Sequence, residues 1–250
     1  MAGATALVHP LRFWRHIADV RRTFEFTFSD TDSTGRPTVA RVTMRKVLRG
    51  TFNILNDLAP DDSIPPDSST VDVVRKPLAD LWERHIVLRR VRDGGTGEAE
   101  WKVAGVSGVQ VMSFDPRSAL PRPAVGDTRV VKLRIQSASG DITIDDPLQA
   151  FVLRRIPLFN AGEDVTLTAT TLRNDDVVVL IRAGDRRRFH NNGDGTYTLF
   201  WRAAAEAGVH HLGVNALSNG TLFDDAKPYD SQAWILPYRV APGEISEYMP

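Results

Sequence analysis

Apolar and polar positions alternate with period two along most of this chain, the spacing of a strand that buries one face. Phe24, Phe26 and Phe28 alternate with Thr23, Glu25 and Thr27. Beyond the turn-rich stretch from Asp30 to Pro37, Ala40, Val42 and Met44 alternate with Arg41, Thr43 and Arg45, and together the two runs predict a long, half-buried hairpin. A different spacing precedes them. Leu11, Phe13, Trp14, Ile17, Ala18 and Val20 form a partial helical stripe behind Pro10, so a short helix lying on a sheet is predicted over Leu11 to Val20. Residues 57–72 are Pro-, Asp- and Ser-rich and predict a flexible loop or one that a partner orders. Lys76 to Arg84, KPLADLWER, allows a helical turn; strands are predicted at His85 to Val91 and Trp101 to Met112, joined by RDGGTGE.

Three prolines between Phe114 and Thr128 predict an interdomain linker, placed at 116–126. After it the pattern is almost wholly β. Val131, Leu133 and Ile135 alternate with Lys132, Arg134 and Gln136, and Val165, Leu167 and Ala169 with Thr166, Thr168 and Thr170. Val177 to Ile181 is continuously apolar, and Tyr197, Leu199 and Trp201 share a face. Short strands at this spacing predict a sandwich. The expected fold is therefore mainly β: an N-terminal α+β domain with a curved antiparallel sheet at 1–115, the linker, a β-sandwich at 127–241 and a tail at 242–250.

Composition narrows the function classes. Thirty-one basic residues balance thirty-one acidic ones, so no global field draws the chain to nucleic acid. With no cysteine there is no disulfide framework, thiolate metal site or cysteine nucleophile. No stretch approaches the roughly 20 apolar residues of a membrane span, and MAGATALVHPLRFWRHI lacks the pattern of a secretory leader. The expectation is a soluble or peripheral protein, with the cytoplasmic face of a membrane favoured and the opposite face as the alternative.

Candidate chemistry is sparse. Asp30, Asp32 and Thr34 in DTDSTG offer the first half of a calcium loop, but Arg41 stands where a closing carboxylate is needed, so an ordinary polar turn is the favoured reading. His210 and His211 are adjacent, which on a strand sends them to opposite faces, one to pack and one to meet solvent. Ser107 in GVSGV lies inside a period-two strand and lacks the spaced glycines of a nucleophile elbow. No catalytic set and no cofactor are expected. Arginines cluster at Arg21-Arg22, Arg89-Arg90, Arg154-Arg155 and Arg186-Arg187-Arg188. They are read as charged strand edges, or as docking sites for acidic protein or anionic lipid headgroups. Base-stacking aromatics are not interleaved with them, so no nucleic-acid partner is expected. Phe223, Tyr229 and Trp234 are either core caps or interface anchors, and Trp14 beside Arg15 suits an interface if the Leu11 to Val20 helix lies on a membrane surface or a partner instead of on the sheet.

The run from Gly162 to Ala216, with Asn192-Gly193-Asp194-Gly195-Thr196-Tyr197 and Gly208 opening the next strand, resembles filamin-type and bacterial immunoglobulin-like domains. That resemblance implies that the sandwich is immunoglobulin-like and serves as an adhesive or scaffolding module. The leading helix, curved sheet and WKVAGVSGV ending of the first half resemble the cone-shaped NTF2-like fold, which implies an internal pocket. FWRHIADVRRTFEFTFSDTDSTGRP (13–37) with SNGTLFDDAKPYDSQAWILPY (218–238) resembles membrane-extrinsic polypeptides of bacterial photosynthetic reaction centre–light-harvesting complexes. The leading expectation is a non-enzymatic, membrane-extrinsic scaffold subunit bound to other protein subunits of an integral complex, with anionic lipid headgroups as a further contact. One alternative is a small-ligand binder or enzyme with a pocket lined by Trp101 and Phe24 or Phe26 and armed by a buried carboxylate or histidine. Another is a cell-envelope adhesion protein.

Overall fold

The computed structural model describes residues 7–60, 69–92, 99–118, 128–152, 156–182 and 185–241. Among these the chain is mainly β, with sixteen strands and one five-residue helix. β1 (Pro10–Thr31), β2 (Pro37–Asp57) and β3 (Val71–Arg92) pair antiparallel in sequence order. At about 3.3 Å per residue each runs roughly 70 Å, several times the length of an ordinary strand. β4 (Ala99–Ser107) and β5 (Val109–Ser113) then pair with successive stretches of β3.

The remaining strands are shorter: β6 (Val130–Ser137), β7 (Gly140–Ile144), β8 (Ala150–Val152), β9 (Leu158–Phe159), β10 (Asp164–Thr171) and β11 (Val177–Arg182). They are followed by β12 (Asp185–Arg188), β13 (His190–Asn191), β14 (Thr196–Arg202), β15 (Gly208–Leu217), helix α1 (Asn219–Phe223) and β16 (Ser231–Val240). Two sheets result, one ordered β1-β2-β3-β5-β16-β15-β11-β12 and one ordered β13-β14-β10-β6-β7. The larger sheet passes from the first half of the chain to the second where Val109 to Met112 pair with Gln232 to Ile235.

Period-two alternation explains the main core. Leu133, Ile135, Leu167, Ala169, Tyr197 and Trp201 of the smaller sheet share one cluster with Val178, Leu180, Leu212, Val214, Trp234 and Tyr238 of the larger. Phe159, Trp201 and Tyr238 meet there at ring centroid distances of 5.1–6.1 Å. The other side of β11 joins a second cluster, in which Val177 and Val179 meet Phe52, Ile54 and Leu78 of the long strands and Leu222 of α1. The turn before β14 follows its sequence: Gly193 and Gly195 take φ of +87° and +85°, while Asp194 Oδ1 accepts from Thr196 N and Thr196 Oγ1.

The first half departs from expectation in its helices. Leu11 to Val20 is strand, and KPLADLWER lies inside β3. The helical spacing of Phe13, Ile17 and Val20 has a β explanation. β1 carries an extra residue between Ile17 and Asp19, so Phe13, Ile17 and Val20, opposite Ile54, Gly50 and Leu48, all fall on one face of the sheet. In KPLADLWER, Pro77 precedes the point at which β5 joins β3, and there the missing N–H breaks no second ladder. The leading helix of an NTF2-like cone is thus a strand. Of the predicted 116–126 linker, Pro116 to Ser118 are described, with the Pro116 and Ser118 carbonyls accepting from Arg49 at 2.5 and 3.0 Å. Residues 119–126, most of the predicted 57–72 loop (61–68), Arg154, Arg155 and the 242–250 tail lie outside the described residues.

Asp176, which precedes β11, is 2% exposed; its Oδ1 accepts from Thr128 Oγ1 at 3.3 Å and its Oδ2 has no partner. Burial pushes its carboxyl up to about 7. Because the folded value lies above the unfolded one, near 3.9, the folded state binds the extra proton between them and loses stability as pH rises through that window. Asp176→Asn is therefore expected to stabilise the protein by about 1–2 kcal/mol at pH 8 and to do little at pH 4. Urea midpoints at both pH values check this, and equal shifts at the two would refute it.

Candidate functional site

Beyond the clusters just described, the long strands carry an amphipathic sheet whose two faces have opposite chemistry. Cross-strand register places Phe24 beside Met44, Phe26 beside Val42 and Ile86, and Phe28 beside Ala40 and Leu88. Ile86 and Leu88 continue the rows to Val106 and Val103 of β4, and Arg90 pairs with Trp101. Strand alternation leaves all these apolar side chains on one face. Small Ala40 and Val42 are covered by their neighbours, but Phe24, Phe26, Phe28, Trp101 and Val103 remain 54%, 55%, 56%, 40% and 50% exposed. Phe26 stacks on Phe28 at 6.5 Å, and Phe28 meets Trp101 at 6.1 Å.

Next to this face on the same side lie three cations. Arg22 pairs with Lys46, Lys46 pairs with Trp82, and Arg84 is opposite Met44. The Lys46 ammonium sits 4.1 Å from the Trp82 ring centre, with the Arg84 guanidinium 5.8 Å from it. Burial, then Arg22 and Arg84, hold the Lys46 ammonium below its ordinary value. Arg84 Nε is buried without a hydrogen-bond partner. The opposite face carries ion pairs, since Arg45 contacts Glu83 at 2.6 Å and Glu25 at 3.2 Å, and Glu83 also reaches His85 at 3.1 Å. Unbalanced cations and uncovered aromatics therefore coincide on one side of one sheet.

A polar knot ties β1 to the body. Arg15 Nε donates to Tyr229 Oη at 3.0 Å, and its Nη2 donates to Ser231 Oγ at 3.1 Å and Asn215 Oδ1 at 3.3 Å. Tyr229 Oη donates to Asp80 Oδ2 at 3.3 Å, while Arg15 Nε lies 3.7 Å from that oxygen. Burial raises the Asp80 carboxyl and the Tyr229 hydroxyl; it opposes the Arg15 charge, which Tyr229 and Asp80 nonetheless hold above its ordinary value. Lys76 Nζ likewise donates to the carbonyls of Asp224, Lys227 and Gly220 at 2.5, 2.7 and 3.1 Å, pinning the α1 loop to β3. Burial brings its ammonium down to about 8. These groups are engaged with one another and with backbone, which is the chemistry of a fastening.

The sequence candidates scatter over this frame. Trp14, Arg186 and Arg188 line a groove between β1 and β11–β12, with Phe223 at its side, whereas Arg187 lines a separate hollow with Phe200 and Trp201. Arg22 belongs to the cationic flank, Arg21 pairs with Asp19 at 3.3 Å, Arg89 is exposed, and Arg90 is 3.7 Å from Asp32. Tyr229 and Trp234 are 7% and 2% exposed, so the core-cap reading holds for them and their service as interface anchors is corrected. In the calcium-like loop, Asp32 Oδ1 accepts from Thr34 N, Thr34 Oγ1 and Arg36 N, and these bonds bring its carboxyl down to about 2. Its oxygens thus serve a turn, and no group of three metal-ligating side chains occurs among the described residues. Ser107 Oγ accepts from His85 N and donates to Gly108 O. His210 stacks on Tyr238 at 5.4 Å, and His211 is exposed, as their adjacency predicts. Trp101, Phe24 and Phe26 stand on an open face, not inside a cone.

No helix among the described residues is long and apolar enough to cross a membrane. Compared with family models, curated proteins and solved structures, the chain matches none.

Proposed function

We propose that this protein is a membrane-extrinsic scaffold subunit that docks by laying the apolar face of its N-terminal sheet against an integral complex. The observation that carries the reading is the uncovered Phe24, Phe26, Phe28, Trp101 and Val103 cluster. Contiguous aromatic surface of this kind marks interaction sites, because aromatics dominate interface energetics. Arg22, Lys46 and Arg84 on the same side suit the anionic headgroups that surround such a complex. The resemblance of residues 13–37 and 218–238 extends the proposal to a photosynthetic reaction centre–light-harvesting complex; the first of these segments contains most of β1, including the three phenylalanines. The immunoglobulin-like resemblance of residues 162–216 supports a binding module as the remainder of the molecule.

Replacing Phe24, Phe26 and Phe28 together by serine is expected to lower the membrane-associated fraction at least about tenfold, the equivalent of about 1.4 kcal/mol. Folding stability should change by no more than about 0.5 kcal/mol per site, because the side chains are exposed. Flotation of native membranes, followed by identification of the co-purifying chains, reads the effect. A wild-type protein that is soluble and alone at ordinary salt would sink the proposal, as would a triple variant that still floats.

A further inference from the structure

We propose that the groove between β1 and β11–β12 is a binding site for a long-chain carboxylate, a fatty acid whose tail lies on the apolar floor and whose head meets the arginines. The groove has a volume of about 630 Å³, within the range of small-molecule sites. Val177, Val179 and Ile181 form one wall from β11, while Leu222 and Phe223 of α1 and Phe13 of β1 complete the apolar surface. Register explains the rim: Arg188 pairs with Val179 and Arg186 with Ile181, so both guanidiniums share the face of the apolar wall while Arg187 takes the other. Arg12 approaches from β1, whereas the Arg182 guanidinium turns to the other face, over the Trp201 ring.

Charge complementarity identifies the head group. Among the described residues none of Arg12, Arg186 and Arg188 has a carboxylate within ion-pair distance, although ion pairs are frequent elsewhere on the surface. Arg186 instead donates to the Phe13 carbonyl, with its guanidinium 5.2 Å from the Phe13 ring centre. Burial, then the proximity of Arg15 and Arg12, depress its affinity for a proton. A carboxylate would meet the guanidinium with a full opposite charge where the carbonyl offers only a neutral acceptor, and in the bidentate geometry that guanidinium offers. The side chains of the groove favour a ligand whose polar end only accepts. The polar groups of its side chains are arginine guanidiniums and the Trp14 indole N–H, donors without acceptors, and a peptide would bring N–H groups that no lining side chain can receive. A fatty acid has one polar end, and that end is an acceptor.

The test is calorimetric titration of the purified full-length chain with oleate below its micellar concentration, alongside oleyl alcohol, octanoate and an acidic decapeptide. Oleate is expected to bind one-to-one and at least tenfold more tightly than the alcohol or octanoate. Arg186→Gln and Arg188→Gln should each weaken oleate at least tenfold, Arg186→Lys should weaken it less, and Arg187→Gln, on the opposite face, should leave it unchanged. Circular dichroism melts confirm that each variant is folded; if Arg186→Gln is not, Arg188→Gln carries the test. Equal binding of oleyl alcohol, indifference to both glutamine variants, or absence of oleate binding overturns the proposal. Saturable binding of the decapeptide in place of oleate overturns it in favour of a protein contact.

Discussion

Arg15→Met is expected to destabilise the protein by about 3–5 kcal/mol at pH 8, the range for a buried charge stripped of its partner. The Asp80 side chain is 1% exposed, with Oδ1 unpartnered and Oδ2 served by Tyr229 and Arg15. Removing the guanidinium leaves that carboxylate in a dry site together with three polar groups that had received or faced its N–H donors. The loss should shrink in acid. Burial already raises the Asp80 carboxyl, and losing Arg15 raises it further, so the folded variant holds a proton that the unfolded chain releases. Stability then falls as pH rises between the unfolded and folded values, and the gap from wild type narrows as pH drops from 8 towards 4. Asp80→Asn should cost less, because the Arg15 side chain is 25% exposed and keeps Tyr229, Asn215 and Ser231. The double variant should recover about 1–2 kcal/mol relative to the sum of the single losses. Urea titrations at the two pH values measure all three, and strict additivity would show that Arg15 and Asp80 do not act together.

Gly50→Ala is expected to cost about 3 kcal/mol, at the upper end for overpacking, because a Cβ there runs into the His16 backbone carbonyl and meets the Ile17 Cα at 3.1 Å. Backbone cannot rotate aside as a side chain can, so β1 must move away from β2 where the extra residue already bends it. Hydrogen exchange should then rise on β1 from His16 outward while the core around Trp234 stays protected. Gly35 provides the contrast. It has φ of +77° but no atom within 4 Å of an added Cβ, so Gly35→Ala should cost only about 1 kcal/mol and leave β1 exchange unchanged. Equal exchange profiles for the two variants would refute the steric account.

Local alternation was sufficient to read the hairpin and the strands of the second half. It misread Leu11 to Val20 because one inserted residue in a strand shifts apolar positions onto i, i+4 and i+7, which a helix also produces. Nor does alternation reveal what covers an apolar face. Phe24, Phe26 and Phe28 have the same pattern as Val165, Leu167 and Ala169, yet the first set is open and the second lies in the core. Pairing partners remote in sequence are likewise invisible, so Val109 to Met112 meeting Gln232 to Ile235 could not be inferred. The Arg186-Arg187-Arg188 cluster was visible, but its division between two faces follows from register with β11.

The junction of β5 with β16 also bears on how the protein is made. On a ribosome Val109 to Met112 emerge more than a hundred residues before the strand that completes their sheet. At about 5–20 residues per second the delay is on the order of ten seconds. Throughout that interval the nascent chain presents an unfinished sheet edge at β5 and, across β3 and β2, a row of bare phenylalanines on β1, the combination that invites association with other chains. Synthesis of this protein thus places its greatest demand on chaperones before its final strand exists, and a chain truncated ahead of Ser231 should be cleared or aggregate.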